Sequence, residues 1–238
     1  MRTDLHCHLI PGVDDGPKTL DDALALARLL VEDGIGRVVV TPHYLAITPE
    51  SAWANMQERL TDLQDALSAA GIALELRLGA EVRICGELIQ HVLNGDVPRI
   101  GQLDGKPVML LEFPHTPNLP FGAEKMVRWL QGQGIIPMLA HPERTRTFQR
   151  DPRELRSYLE RGCLIQVTSG SLAGVFGEAP RLLAEKLLLE GQVTILATDA
   201  HDPFHRVPTL SAGFEAVRQL MNEDLARHLT EGMPGRLL

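Results

Sequence analysis

Histidines and carboxylates recur in this chain where short apolar runs stop. Asp4-Leu5-His6-Cys7-His8, Thr41-Pro42-His43, Ala140-His141-Pro142 and Thr198-Asp199-Ala200-His201 each close such a run with residues that ligate metals. Glu81 and Glu112 close two more, at Leu78-Gly79-Ala80-Glu81 and Met109-Leu110-Leu111-Glu112. His6 and His8 have the spacing that sends both side chains to one face of a strand. Both imidazoles can then reach one ion, while Cys7 points the other way, into packing. Asp14-Asp15-Gly16-Pro17 follows at once. A lone His-x-His is usually a chance surface pair, and a lone Glu usually caps a helix or meets an arginine. Recurrence at strand ends shifts that balance. A carboxylate set against an apolar run needs a partner, and a metal ion is the economical one. The number of donors points to more than one ion. His91 and His228 lie on helical patterns and read as surface residues; His115 and His205 follow strand ends but match no ligand spacing.

The elements that must position these groups are legible. Short runs rich in Leu, Ile and Val at Leu5–His8, Arg37–Thr41, Leu74–Leu78, Val108–Leu111, Ile136–Ala140, Leu164–Thr168 and Val193–Thr198 are apolar on consecutive positions, as strands covered on both faces are. Helical patterns lie between them. Thr19 with Asp22 resembles a capping box before Ala23–Val31, and Gly34 follows its end. Thr48-Pro49 opens a long helix that Gly71 closes, and Asp151-Pro152 with Glu154 opens one that ends at Gly162; Gly134 and Gly191 end two more. Such alternation predicts an α/β fold with a mostly parallel sheet. If it rolls into a barrel, strand C-terminal ends meet on one face and the scattered ligands become one cluster. No linker or repeat divides residues 1–238, so one domain is expected.

Bulk properties exclude some classes. Net charge is −8 and Lys and Arg form no run, which disfavours a nucleic-acid surface. No apolar run is long enough to span a bilayer. The start leads straight into the first motif with no leader pattern, and three widely spaced cysteines do not make a disulfide framework, so a reducing cytoplasm is expected. Six residues after Cys7, Cys85 and Cys163 stand Val13, His91 and Ser169 rather than Arg, so a thiol phosphatase is disfavoured.

The series of motifs from Asp4-Leu5-His6-Cys7-His8 and Asp14-Asp15-Gly16-Pro17, through Thr41-Pro42-His43, Gly79-Ala80-Glu81, Leu111-Glu112-Phe113 and His141-Pro142-Glu143-Arg144, to Thr198-Asp199-Ala200-His201 resembles the polymerase and histidinol phosphatase (PHP) superfamily. Within it the chain is similar to the bacterial protein-tyrosine phosphatases of capsule and exopolysaccharide biosynthesis. The resemblance implies a distorted seven-stranded TIM-like barrel and three divalent ions, commonly manganese. Carried over by position, the ligands are His6, His8, Asp15, His43, Glu81, Glu112, His141, Asp199 and His201, with Asp15 preferred to its neighbour Asp14. The implied grouping places His6, His8, Glu81 and Asp199 on one ion. Glu81 bridges to a second with Glu112 and His141, and Asp15, His43 and His201 hold the third. It also implies that Arg144 and Arg206 face the phosphate, and that the partner is a phosphotyrosine protein, namely the tail of a membrane-associated tyrosine autokinase.

Elementary electrostatics agrees with that set. Five imidazoles and four carboxylates suit borderline ions such as Mn²⁺, Fe²⁺ or Zn²⁺. Four carboxylates carry about −4 between them, and three divalent ions turn the sum to about +2, a site for an anion such as phosphate. Metal-acidified hydroxide can then attack phosphorus without a covalent enzyme intermediate, and a guanidinium fork suits phosphoryl oxygens. Phe113, Phe121, Phe148, Phe176 and Phe204, with Tyr44, all follow strand ends. They form either an apolar rim for a phenyl ring or packing beneath the loops. Rival readings are a small-molecule phosphatase such as histidinol-phosphatase, a promiscuous phosphoesterase or phosphotriesterase, and a non-catalytic metal-binding module.

Overall fold

Ten strands are present in a computed structural model that describes residues 1–44, 55–95, 98–114, 116 and 118–238. They are β1 (Arg2–Cys7), β2 (Ile35–Val40), β3 (His43–Tyr44), β4 (Glu75–Leu78), β5 (Glu81–Arg83), β6 (Gly101–Leu103), β7 (Lys106–Glu112), β8 (Ile136–Ala140), β9 (Leu164–Thr168) and β10 (Ile195–Ala197). The opening of the helix expected from Thr48-Pro49, and His115, lie outside the described residues; that helix runs over Met56–Ala69.

These strands make seven staves. β2 resumes as β3 after Thr41-Pro42, and β4 resumes as β5 after Gly79-Ala80. The parallel ladders β1-β2-β4 and β10-β9-β8-β7-β5-β3 therefore share two staves. The ring closes between the first stave and the last. Asp199 N–H donates to His6 O at 2.8 Å, His8 N–H donates to Ala200 O at 2.9 Å, and Cys7 pairs with Ala200. Asp4, fully buried, clasps the seam by accepting from Thr198 N at 3.0 Å and from the Thr198 hydroxyl. Burial pushes its carboxyl up to about 6 against those hydrogen bonds. The expected distorted seven-stranded barrel is the observed one.

One strand was not expected. β6 pairs antiparallel with β7 across Asp104-Gly105, both at positive φ (50° and 76°). That is a tight two-residue hairpin, and Asp-Gly is its usual sequence. Among the described residues no helix is long and apolar enough to cross a membrane. The Thr19 box forms: its hydroxyl accepts from Asp22 N at 3.1 Å and starts the helix Leu20–Glu32.

Alternation along the staves divides the core in two. Leu5, Val39, Ile100, Val108, Leu110, Met138, Ala140 and Ile195 fill the barrel interior, and Leu237 of the last helix packs with them. Val38, Val40, Met109, Leu111, Leu139, Ile165, Val167 and Leu196 face the helices. The inward series continues upward as Val39–Thr41–His43, Gly79–Glu81, Leu110–Glu112 and Ile195–Ala197–Asp199. The candidate ligands are thus the top layer of the barrel filling.

β1 departs from strict alternation. Asp4 pairs with Val38 and Cys7 with Val40, so β1 carries one extra residue and bulges. Leu5 packs inside while Cys7, two residues on, packs outside. Cys7 is a core residue as expected, but the bulge aims it there.

Candidate metal centre

Nine candidate ligands converge at the barrel mouth. Glu81, 1% exposed, is the hub. Its Oε1 lies 2.8 Å from His141 Nε2 and 3.4 Å from His6 Nε2; its Oε2 lies 2.9 Å from His43 Nδ1 and 3.5 Å from His8 Nε2. Asp15 stands 3.3 Å from His43 Nε2 and 3.2 Å from His201 Nε2. Asp199 Oδ1 lies 3.3 Å from His6 Nε2, 3.6 Å from His8 Nε2 and 3.6 Å from His201 Nδ1. Four overlapping sets have donor atoms within 4.8 Å of one another: His8, Asp15, His43 and His201; His6, Glu81 and His141; His6, His8 and Asp199; His43, Glu81 and Glu112. These sets overlap the grouping inferred above but differ from it at three points: Glu81 stands outside the set of His6, His8 and Asp199, His8 joins Asp15, His43 and His201, and Glu112 and His141 share Glu81 in separate sets. Glu112 is drawn to Arg83, its in-register partner on β5, whose Nε donates to Oε2 at 3.2 Å.

Local backbone aims several of these groups. His141 and Asp199 are two of three non-glycine residues at positive φ among the described residues, at 32° and 51°. Such strain persists only where surroundings impose it, and it gathers at functional sites. Asp14 and Asp15 divide their work. Asp14 lies 2.7 Å from His8 Nδ1 and accepts from Gly16 N and His43 N, so it orients the ring, while Asp15 faces the cleft. With Nδ1–H given to Asp14, His8 turns its Nε2 lone pair inward.

The residues fit bound cations. His6 Nε2 and His8 Nε2 are 3.3 Å apart and both face Asp199 Oδ1, a buried oxygen with no hydrogen-bond partner. Acceptors crowded in this way need protons or metal between them. Burial pulls His8 down, but Asp14 outweighs it and lifts the ring to about 9. Burial likewise opposes charge on His43, and Asp15 and Glu81 raise it to about 11. Around His141 burial wins and lowers it to about 4 despite Glu81. The His201 and His43 rings hold Asp15 far below the carboxylate range.

Arg144 and Arg206 line the same cleft, about 270 Å³, with Asp15, Glu81, Glu112, Asp199 and Arg83. Both grip Asp199 Oδ2: Arg144 through Nη1, and Arg206 through Nη2 at 2.6 Å. Arg206 Nη1 also stands 3.7 Å from Asp15. Neither is a surface salt bridge of the ordinary kind, because their shared partner is buried.

Residues 2–238 match the profile of the capsular polysaccharide synthesis family CpsB/CapC. The chain belongs to the CpsB/CapC family. It is 34% identical over 199 residues to the tyrosine-protein phosphatase YwqE of Bacillus subtilis, covering 84% of this chain and 77% of that one. Among solved structures, a chain from the crystal structures of YwqE from Bacillus subtilis and CpsB from Streptococcus pneumoniae, unique metal-dependent tyrosine phosphatases, matches with TM-score 0.88 and 30% identity over 99% of this chain and 95% of that chain. A variant organophosphorus hydrolase from Deinococcus radiodurans matches at TM-score 0.58 and 18% identity over 99% and 92%, a likeness of fold alone.

For Phe113 and Tyr44 of this CpsB/CapC chain the apolar-rim reading gives way to its alternative, packing beneath the loops. Phe113, 1% exposed, packs edge-on against Phe148 (5.2 Å between centroids) and Tyr158 (5.3 Å). Tyr44 is buried, with its hydroxyl 3.0 Å from His91 Nδ1, so His91 is not a free surface residue either. These rings fill space under the loops, where burial of apolar area outweighs any call for a rim. Phe176 is half-buried beneath the Arg144 guanidinium, 4.3 Å from ring centroid to Cζ, and so positions that arginine. Only Phe121 and Phe204 of the expected set stand exposed. Phe113→Ala should cost about 3–5 kcal/mol of stability, measured as a lowered denaturation midpoint. Unchanged stability with a raised KM would return Phe113 to the substrate side.

Sequence reasoning missed Arg83, two residues beyond Glu81 on the same strand face. It also missed Gln166, whose signal was a polar interruption of an apolar strand.

Proposed function

We propose that this chain is a metal-dependent tyrosine-protein phosphatase whose single domain, residues 1–238, holds three divalent ions among His6, His8, Asp15, His43, Glu81, Glu112, His141, Asp199 and His201. The observation that carries this reading is one buried carboxylate, Glu81, meeting four imidazoles in a cleft that two arginines also face. When bound, the ions supply Lewis acidity: they polarise phosphoryl oxygens and acidify water. Glu81 lies centrally enough to bridge two ions. Asp14 keeps His8 in the tautomer that offers Nε2 inward. Arg144 and Arg206 bind phosphoryl oxygens and offset charge that builds on them. Manganese is the proposed metal, with iron or zinc compatible with the same donors. The proposed substrate is a phosphotyrosine protein, the tail of a tyrosine autokinase of polysaccharide export, met in the cytoplasm.

Rates on a phosphotyrosine peptide and on histidinol phosphate test the substrate class. The peptide should turn over faster; preference for histidinol phosphate would replace this reading with that of a small-molecule phosphatase. Metal analysis of the saturated protein should approach three ions per chain, and Glu81→Gln should lose two, because no other carboxylate touches as many imidazoles. Saturation at one ion refutes the grouping.

A further inference from the structure

Six of the seven staves bring at least one candidate ligand to the mouth. The stave formed by β9 brings none. Level with Ala140 and Ile195 on its neighbours, it carries Gln166, fully buried. The Gln166 side-chain oxygen accepts from His141 N at 3.1 Å and lies 2.9 Å from His6 Nδ1. A backbone N–H can only donate, so the atom facing it is the amide oxygen rather than the nitrogen. The nitrogen turns to Thr168 Oγ1 at 3.5 Å. A carbonyl oxygen only accepts, so His6 must present Nδ1–H to it. That leaves the His6 Nε2 lone pair for the cluster of His8, Glu81 and Asp199.

We propose that Gln166 is a positioning residue of the metal centre. It selects the His6 tautomer and ties that ring to the His141 backbone through one oxygen. Ligands from the first and fifth staves are thereby held in register by the stave that supplies no ligand. A second acceptor serves His8 in the same way, since Asp14 holds its Nδ1. Outer partners of metal-bound histidines commonly set affinity by about 10- to 100-fold.

This inference rests on the metal reading above, and the full-length protein separates the two. Chelator-stripped wild type, Gln166→Leu and Gln166→Glu are titrated with Mn²⁺, and folding is checked by circular dichroism. Gln166→Leu keeps bulk but offers no acceptor, and should bind manganese about 10- to 100-fold more weakly. Gln166→Glu accepts the same two N–H groups and should stay within several-fold of wild type. Wild-type affinity in a folded Leu variant overturns the proposal, as does a Glu variant as weak as the Leu one, which would assign Gln166 to packing. Failure of the wild type to bind metal at all would instead overturn the metal reading. If the Leu variant does not fold, nitrogen NMR of the zinc-loaded wild type decides. His6 should be coordinated through Nε2 with a proton on Nδ1, and coordination through Nδ1 overturns the proposal.

Discussion

Stripping metal from this protein should abolish hydrolysis of an aryl phosphate, Mn²⁺ should restore it, and iodoacetamide should leave it largely intact. The loss should be complete because bound ions supply the acidity that turns water into the attacking group. All three thiols are pushed away from reactivity: Cys7 by complete burial, Cys85 by partial burial, and Cys163 by burial that lifts it to about 12. None of the three lines the cleft, whereas seven of the nine candidate ligands do, and His6 and His8 share donor sets with them. Chelation followed by rate measurement checks this, with metal content assayed in the same samples. Full turnover by demonstrably metal-free protein would end the proposed mechanism.

Arg144→Ala or Arg206→Ala should lower kcat/KM on a phosphotyrosine peptide by about two to four kcal/mol of transition-state stabilisation, the usual effect of losing a charge-stabilising donor. Metal content should persist. Both guanidinium groups bond Asp199 Oδ2, and removing either frees that carboxylate rather than depriving it of a role in ligation. Arg144→Lys should rescue only in part, because an ammonium lacks the planar fork and stacks less well over Phe176. A surface ion pair would behave otherwise, costing about a kcal/mol of stability or less and leaving the rate alone. Near-wild-type kcat/KM in both alanine variants would remove the phosphate clamp and weaken the phosphatase reading itself.

What the sequence determined by itself is what depends on chemistry and period. Imidazoles and carboxylates at the ends of consecutive apolar runs demanded a shared cation. Strand-helix alternation demanded a parallel sheet whose C-terminal ends meet. All seven predicted strands became the seven staves for that reason. Tertiary structure decided what depends on neighbours distant in sequence. The β1 bulge re-aims Leu5 and Cys7 because the first stave must fit β2 on one side and Ala200 on the other. Asp14 and Asp15 are equivalent as residue types, and only the positions of His8, His43 and His201 separate their roles. Phe113 and Tyr44 follow strand ends just as Phe204 does, yet burial against Phe148, Tyr158 and His91 removes them from the rim. Gln166 appeared only as a polar residue in an apolar run. Its use comes from closing the barrel, which sets one side-chain oxygen between histidines that stand 135 positions apart in the chain.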